Sequence, residues 1–194
     1  MKRILGAALA LGLSHGLGAV GTLIPWATNG GATVSADQVL LLDNGSTEAR
    51  TAYNPCTINI NSNFDLTFSV YFGQNEEQCG GDGMAFILQA CGITALGADS
   101  GEHAYTGSCA NSLAIDFDTF QNVAYGDPAY NSLMIRTGGA TASTNASTCG
   151  TALIAGPCRP PISALQPIVT DGAYHTVEIS WNAATLAMTV AVDG

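Results

Sequence analysis

Through most of this chain, apolar and polar residues alternate with a period of two. Short apolar and β-branched runs are divided by Gly, Asn and Asp, a pattern that suits strands rather than helices. It predicts strands at Val39–Leu42, Thr57–Asn61, Asp65–Tyr71, Met84–Gln89, Leu113–Phe117, Leu133–Arg136, Thr176–Trp181 and Ala187–Val192. Asn182-Ala183-Ala184-Thr185 reads as the turn joining the last two. Past residue 13 the chain shows no amphipathic helix, and it has no internal repeat. Residues 138–161 are rich in Gly, Ala, Ser, Thr and Pro and read as a long surface excursion. Regular strands separated by turns predict an all-β sandwich. A length of 194 residues suffices for one domain with a real core.

The N-terminus predicts export. Lys2 and Arg3 precede an apolar run from Ile4 to Leu13, too short to span a bilayer comfortably, and small residues follow. Residues 1–21 therefore read as a secretory signal and 22–194 as the mature domain. An N-terminal anchor is the alternative, but no stop-transfer pattern follows. Six cysteines, Cys56, Cys79, Cys91, Cys109, Cys149 and Cys158, fit disulfides in an exported chain. Their spacing fixes no pairing. Cys149 and Cys158 flank one Gly-rich loop and are the favoured pair. Asn44-Gly45-Ser46 and Asn145-Ala146-Ser147 are glycosylation sequons. A net charge of −10 with five Lys and Arg argues against nucleic acid and anionic lipid as partners. It suits divalent cations and is indifferent to uncharged sugars. Nothing predicts insertion into a membrane beyond the leader, and a homo-oligomer is compatible with such a domain. The chain stops at Asp193-Gly194, just after a strand, which predicts a fragment with further strands to come.

Two segments carry chemistry. In the first, Asp116 and Asp118 stand two apart on one strand face. Carboxylates that close repel unless a cation or a proton lies between them. Asp118, Asn122, Asp127 and a loop carbonyl such as that of Phe120 supply hard oxygen donors, which suit calcium. Gly126 and Pro128 can turn the chain so that Asp127 returns. An ordinary acidic turn, with Asp and Asn capping backbone groups, is the competing reading. In the second segment, glycines surround Asp82 in Gly80-Gly81-Asp82-Gly83. They permit close backbone approach to a ligand, or simply form a β-turn.

Four motifs together resemble the legume-type (L-type) lectins, most of all their bacterial secreted relatives. They are Asp82-Gly-Met-Ala-Phe-Ile-Leu-Gln89, Asn111-Ser-Leu-Ala-Ile-Asp-Phe-Asp-Thr-Phe-Gln-Asn122, Tyr125-Gly-Asp-Pro128, and Asp171-Gly-Ala-Tyr-His-Thr-Val-Glu-Ile-Ser-Trp-Asn182. The resemblance runs from about Val39 to Gly194. It implies a concanavalin-like jelly-roll β-sandwich and a sugar site built on calcium. Side chains of Asp118, Asn122 and Asp127, with the Phe120 carbonyl, would bind calcium. Asp82, with Gly83 beside it, would accept hydrogen bonds from sugar hydroxyls. Asn122 would donate to the sugar, and the Phe120 ring would stack on its apolar face. Residues 101–107, ending at Gly107, would form the adjacent contact loop.

Departures from that pattern matter. The family usually has Glu where Asp116 stands and His where Ser132 stands, both serving a second, transition metal (Mn2+). Here the resemblance implies Ca2+ at full occupancy, with Asp116 left to a weak or absent second metal. Glu102 and His103 also depart from the usual contact loop, and His103 reads either as a sugar contact or as a solvated loop residue. His175 reads as a boundary residue packed beside Trp181, and Trp26 and Trp181 as core. Function therefore reads as non-catalytic binding of glycans or polysaccharide. Glycoside hydrolases share the sandwich and place acids on alternate strand positions, but Phe120 stands where a further acid is usual. A calcium-stabilised adhesion module is the third reading. No Gly-x-Ser-x-Gly elbow supports a serine hydrolase, and no catalytic residue is predicted.

Overall fold

The computed structural model describes residues 8–11, 26–35, 38–41, 48–73, 81–125, 127, 131–139, 158–164 and 169–194, with the backbone alone for 8–11 and 158–164. The strands in chain order are β1 (Ala8–Leu11), β2 (Ala27–Asn29), β3 (Thr33–Ser35), β4 (Gln38–Leu40), β5 (Thr51–Tyr53), β6 (Phe64–Tyr71), β7 (Gly83–Gln89), β8 (Ser112–Asp118), β9 (Ser132–Thr137), β10 (Cys158–Ala164), β11 (Tyr174–Asn182) and β12 (Ala187–Val192). They pair antiparallel throughout. One sheet runs β12-β11-β6-β1-β4-β3, a second β10-β9-β8-β7, and β2 and β5 form a ribbon. This all-β arrangement agrees with the sandwich expected from the alternation.

The alternation builds the core directly. Along β11, His175, Val177 and Ile179 are buried while Thr176, Glu178 and Ser180 face solvent. Their register puts Val177 opposite Phe68 and Ile179 opposite Leu66 on β6. From the other sheet come Met84, Ile115, Phe117 and Leu133, and together these residues form the buried apolar cluster. Burying each such side chain contributes about 1.5–3 kcal/mol. A cavity of about 1310 Å3 adjoins this core, lined by Phe64, Leu66, Phe86, Leu113, Trp181 and Met188 among others.

β8 is buried from Ala114 to Asp118 on both of its faces. Ile115 and Phe117 enter the core. Asp116 and Asp118 therefore lie on the opposite face, covered by loops, and that face holds the site.

Several expectations need correction. Residues 57–61 form no strand: 57–59 are irregular and 60–61 a turn. Asn59 captures the local backbone: its side-chain oxygen accepts from the Asn61 amide at 3.1 Å, and its carbonyl accepts from the Ser62 amide at 3.1 Å. Such side-chain capture competes with strand pairing. Cys158 and the two prolines after it belong to a strand and not to a surface excursion. β10 occupies the edge of its sheet, and its register with β9 shifts between Arg159 and Ser163. An edge with a bulge is where proline is tolerated. His175 is not beside Trp181 but near the opposite end of β11, with Nδ1 2.8 Å from Asp193 and Nε2 3.1 Å from Asp171. Trp181 is half-buried, donates to the Ile60 carbonyl at 2.8 Å and stacks on Phe64. The hairpin turn at 182–185 forms as expected, with the Asn182 side chain accepting from the amides of Ala184 and Thr185.

A disulfide joins Cys91 to Cys109 and closes the β7–β8 connection, while Cys56 is exposed and unpaired among the described residues. Of the favoured Cys149–Cys158 pair, Cys149 lies outside the described residues and Cys158 is described by its backbone alone; both sequons lie outside them. Ala8–Leu11, within the segment read as a leader, pairs with both β4 and β6.

Candidate functional site

The site is built where β7 and β8 meet the loops that follow. Their register sets Gly83 opposite Asp118 and Ala85 opposite Asp116. Asp82 thus falls at the end of β8. Thr119 fixes it there: its amide donates to the Asp82 carbonyl at 2.9 Å and its hydroxyl to the Gly81 carbonyl at 2.8 Å. Sequence reading missed Thr119, whose only signal is its place just after the paired acids. Gly83 is dictated by space. Its φ is +140°, and an added Cβ would lie 2.1 Å from the Phe117 carbonyl oxygen.

Beyond β8 the chain folds back on its own carboxylates. The Phe120 amide donates to Asp118 at 3.1 Å, and the Asn122 amide to Asp127 Oδ2 at 2.9 Å. Gln121 donates to the Asp127 carbonyl at 3.1 Å. A single 310 turn, Val123–Tyr125, follows. The Asn122 side-chain nitrogen reaches across to Asp82 Oδ1 at 2.9 Å. Asp82, Asp118, Asn122 and Asp127 are therefore gathered into one place. Gly107 is not among them: its amide donates to the Gly139 carbonyl at 2.9 Å. The glycine of that loop that meets the site is Gly101, where an added Cβ would lie 2.6 Å from the Asn122 amide nitrogen.

Burial dominates the electrostatics of this cluster. Burial pushes the Asp118 carboxyl up to about 7; His103 opposes this, while Asp116 and Asp127 add to it. Burial likewise raises Asp127, and its Oδ1 is buried without a hydrogen-bond partner. The Phe120 carbonyl accepts from the Asn122 side-chain nitrogen at 3.4 Å; with the Asn122 amide oxygen and the two carboxylates it would make a hard, all-oxygen donor set of the kind calcium takes. Among the described residues no three His, Cys, Asp or Glu side chains are grouped to hold an ion by themselves.

Asp116 has a different fate. It is 0% exposed, with Oδ1 2.6 Å from His103 Nδ1 and Oδ2 2.8 Å from Arg136 Nε. These contacts are close ion pairs but fall short of well-aligned hydrogen bonds. Burial alone would raise Asp116, yet Arg136 and His103 outweigh it and hold the carboxyl below its ordinary value. Burial disfavours the charged ring of His103, but the Asp116 charge wins and lifts it to about 9. His103 is therefore an interior partner of Asp116, not a sugar-facing or solvated loop residue. Ser132 sits opposite Asp118 across β8 and β9, buried, with its hydroxyl unpartnered.

The legume lectin domain family model matches residues 24–193. The chain belongs to that family. This legume lectin domain is accordingly a carbohydrate-binding fold, of a family that typically binds Ca2+ and Mn2+ and is generally non-catalytic. No helix among its described residues is long and apolar enough to cross a membrane.

Proposed function

We propose that the domain is a secreted, non-catalytic lectin whose glycan binding depends on calcium held by Asp118, Asn122, Asp127 and the Phe120 carbonyl. The observation that carries this reading is the double attachment of Asn122. Its backbone amide sits on Asp127 and its side chain on Asp82. An ion bound to the loop therefore fixes the side chain that faces Asp82. Asp82 and Asn122 then offer an acceptor and a donor to adjacent sugar hydroxyls, and the half-exposed Phe120 offers an aromatic face to its C–H surface. Non-catalysis is supported by Asp116. A buried carboxylate already paired with Arg136 is a poor nucleophile or acid for a glycosidic bond, which needs two carboxyls flanking it.

The test is a glycan array probed with the wild-type domain, Asp82→Asn and Phe120→Ala, each with calcium and with EDTA. Wild type is expected to bind only with calcium, and both variants to lose glycan while retaining calcium. Binding that survives EDTA would refute the metal mechanism. Wild type that binds no glycan but still takes up calcium would favour the adhesion scaffold.

A further inference from the structure

Two buried charges on the outer face of the four-stranded sheet are left unused by the calcium site. Arg136 is 0% exposed and comes from β9. Its Nε lies 2.8 Å from Asp116, and its terminal nitrogens reach the Glu102 carbonyl at 3.1 Å, the Thr106 hydroxyl at 3.3 Å and the Glu102 carboxylate at 3.5 Å. Its guanidinium also lies 4.9 Å from the centroid of the Tyr105 ring. A buried guanidinium with this many partners is a fixed positive charge.

The residues around Asp116 do not fit a transition-metal ion. Such an ion needs the carboxylate's oxygens, and both are already engaged, one by the His103 ring at 2.6 Å and the other by the Arg136 guanidinium at 2.8 Å. It also favours an imidazole nitrogen, and the neighbouring strand offers only the Ser132 hydroxyl. His103 turns its Nδ1 to Asp116, with Arg136 3.4 Å from that same nitrogen. A dication placed there would meet the guanidinium at close range.

We propose that Arg136, together with His103, replaces a second metal ion on Asp116, so that the domain takes up a single divalent cation. This inference rests on the calcium reading above. The built-in cation does something an ion at Asp116 alone would not: it fastens the 99–107 loop. Arg136 grips Glu102 and Thr106, and Gly101 of the same loop lies against the Asn122 amide. The calcium loop and the carbohydrate side chains are thus braced from one side by calcium and from the other by an organic cation.

The test uses the whole chain, stripped with chelator, equilibrated with excess Ca2+ and Mn2+ together, desalted and analysed for both elements. The expected result is about one calcium per chain and less than about a tenth of a manganese. Manganese bound beside calcium at about one per chain would overturn the inference and leave the calcium reading intact. A chain that binds neither ion would sink both. Arg136→Lys provides a second arm, since it keeps the charge and loses the planar fork. Amide hydrogen exchange in residues 99–107 is expected to quicken about tenfold or more, with β11 and β12 unchanged. Unchanged exchange in that loop would overturn the bracing.

Discussion

Replacing Arg136 by Met should destabilise the domain severely, for a reason the structure makes specific. The substitution roughly conserves length but leaves Asp116 in a fully buried position with His103 as its one remaining cation. Removing one partner of a buried ion pair costs about 3–5 kcal/mol. Lost bonds to the Glu102 carbonyl and Thr106 hydroxyl add about 0.5–1.5 kcal/mol each. His103 offsets part of this, so a loss of about 3–5 kcal/mol is expected in total. That is a large share of the roughly 5–15 kcal/mol that domains possess. At about 2–4 °C per kcal/mol for this size, Tm should fall by about 6–20 °C. Urea unfolding in calcium-free buffer, followed by the fluorescence of Trp26 and Trp181, measures it. The companion variant Asp116→Asn/Arg136→Met removes the orphaned charge and should be more stable than Arg136→Met alone. A single-variant loss below about 1 kcal/mol, or a double variant no better than the single, would refute the buried pair as described.

Three further outcomes are expected. Gly83→Ala must fit a Cβ where the Phe117 carbonyl lies and hold φ near +140°; the dihedral alone costs about 1–3 kcal/mol, and unfolding curves should show at least that loss. The metal-free domain should lose stability as pH rises. Asp118 has a folded pKa of about 7, above its ordinary 3.8, so its contribution is full below about pH 4 and gone above about pH 7. His103, lifted to about 9, acts in the same direction between pH 6.5 and 9. Calcium should reverse the trend, and thermal melts at pH 5 and 8 with and without it check the sign. Finally, Ala8–Leu11 cannot be both an excised leader and the strand between β4 and β6; the intact mass of exported protein should show cleavage between residues 16 and 21, and a retained N-terminus would contradict secretion by a cleaved signal.

The long strands were legible in the sequence because their alternation mirrors burial directly, as His175, Val177 and Ile179 against Thr176, Glu178 and Ser180 illustrate. Three-residue strands such as Ala27–Asn29 and Thr51–Tyr53 were not, since so short a segment carries no period. Thr57–Asn61 misled because β-branched residues there are overruled by the Asn59 side chain. The paired Asp116 and Asp118 pointed correctly to one face, but the sequence did not reveal that the two acids part company. Asp118 joins Asn122 and Asp127 locally, within ten residues, and that spacing is readable. Asp116 is claimed by His103 and Arg136, from a loop before β8 and from the next strand, and only the sheet register brings those together. Thr119 was missed for a related reason: it acts through its backbone position against a distant residue, Asp82. Gly101 fell within the expected contact loop, but its place against Asn122 was not readable.

Glycan affinity measured against free calcium tests the proposed lectin most directly. Isothermal titration of the best array glycan into the chelator-stripped domain, at calcium levels from nil to saturating, should give binding that rises with calcium occupancy. Asp127→Asn should shift that rise to higher calcium. Glycan affinity that is the same in EDTA and in saturating calcium would contradict a site held in shape by Asp118, Asn122 and Asp127.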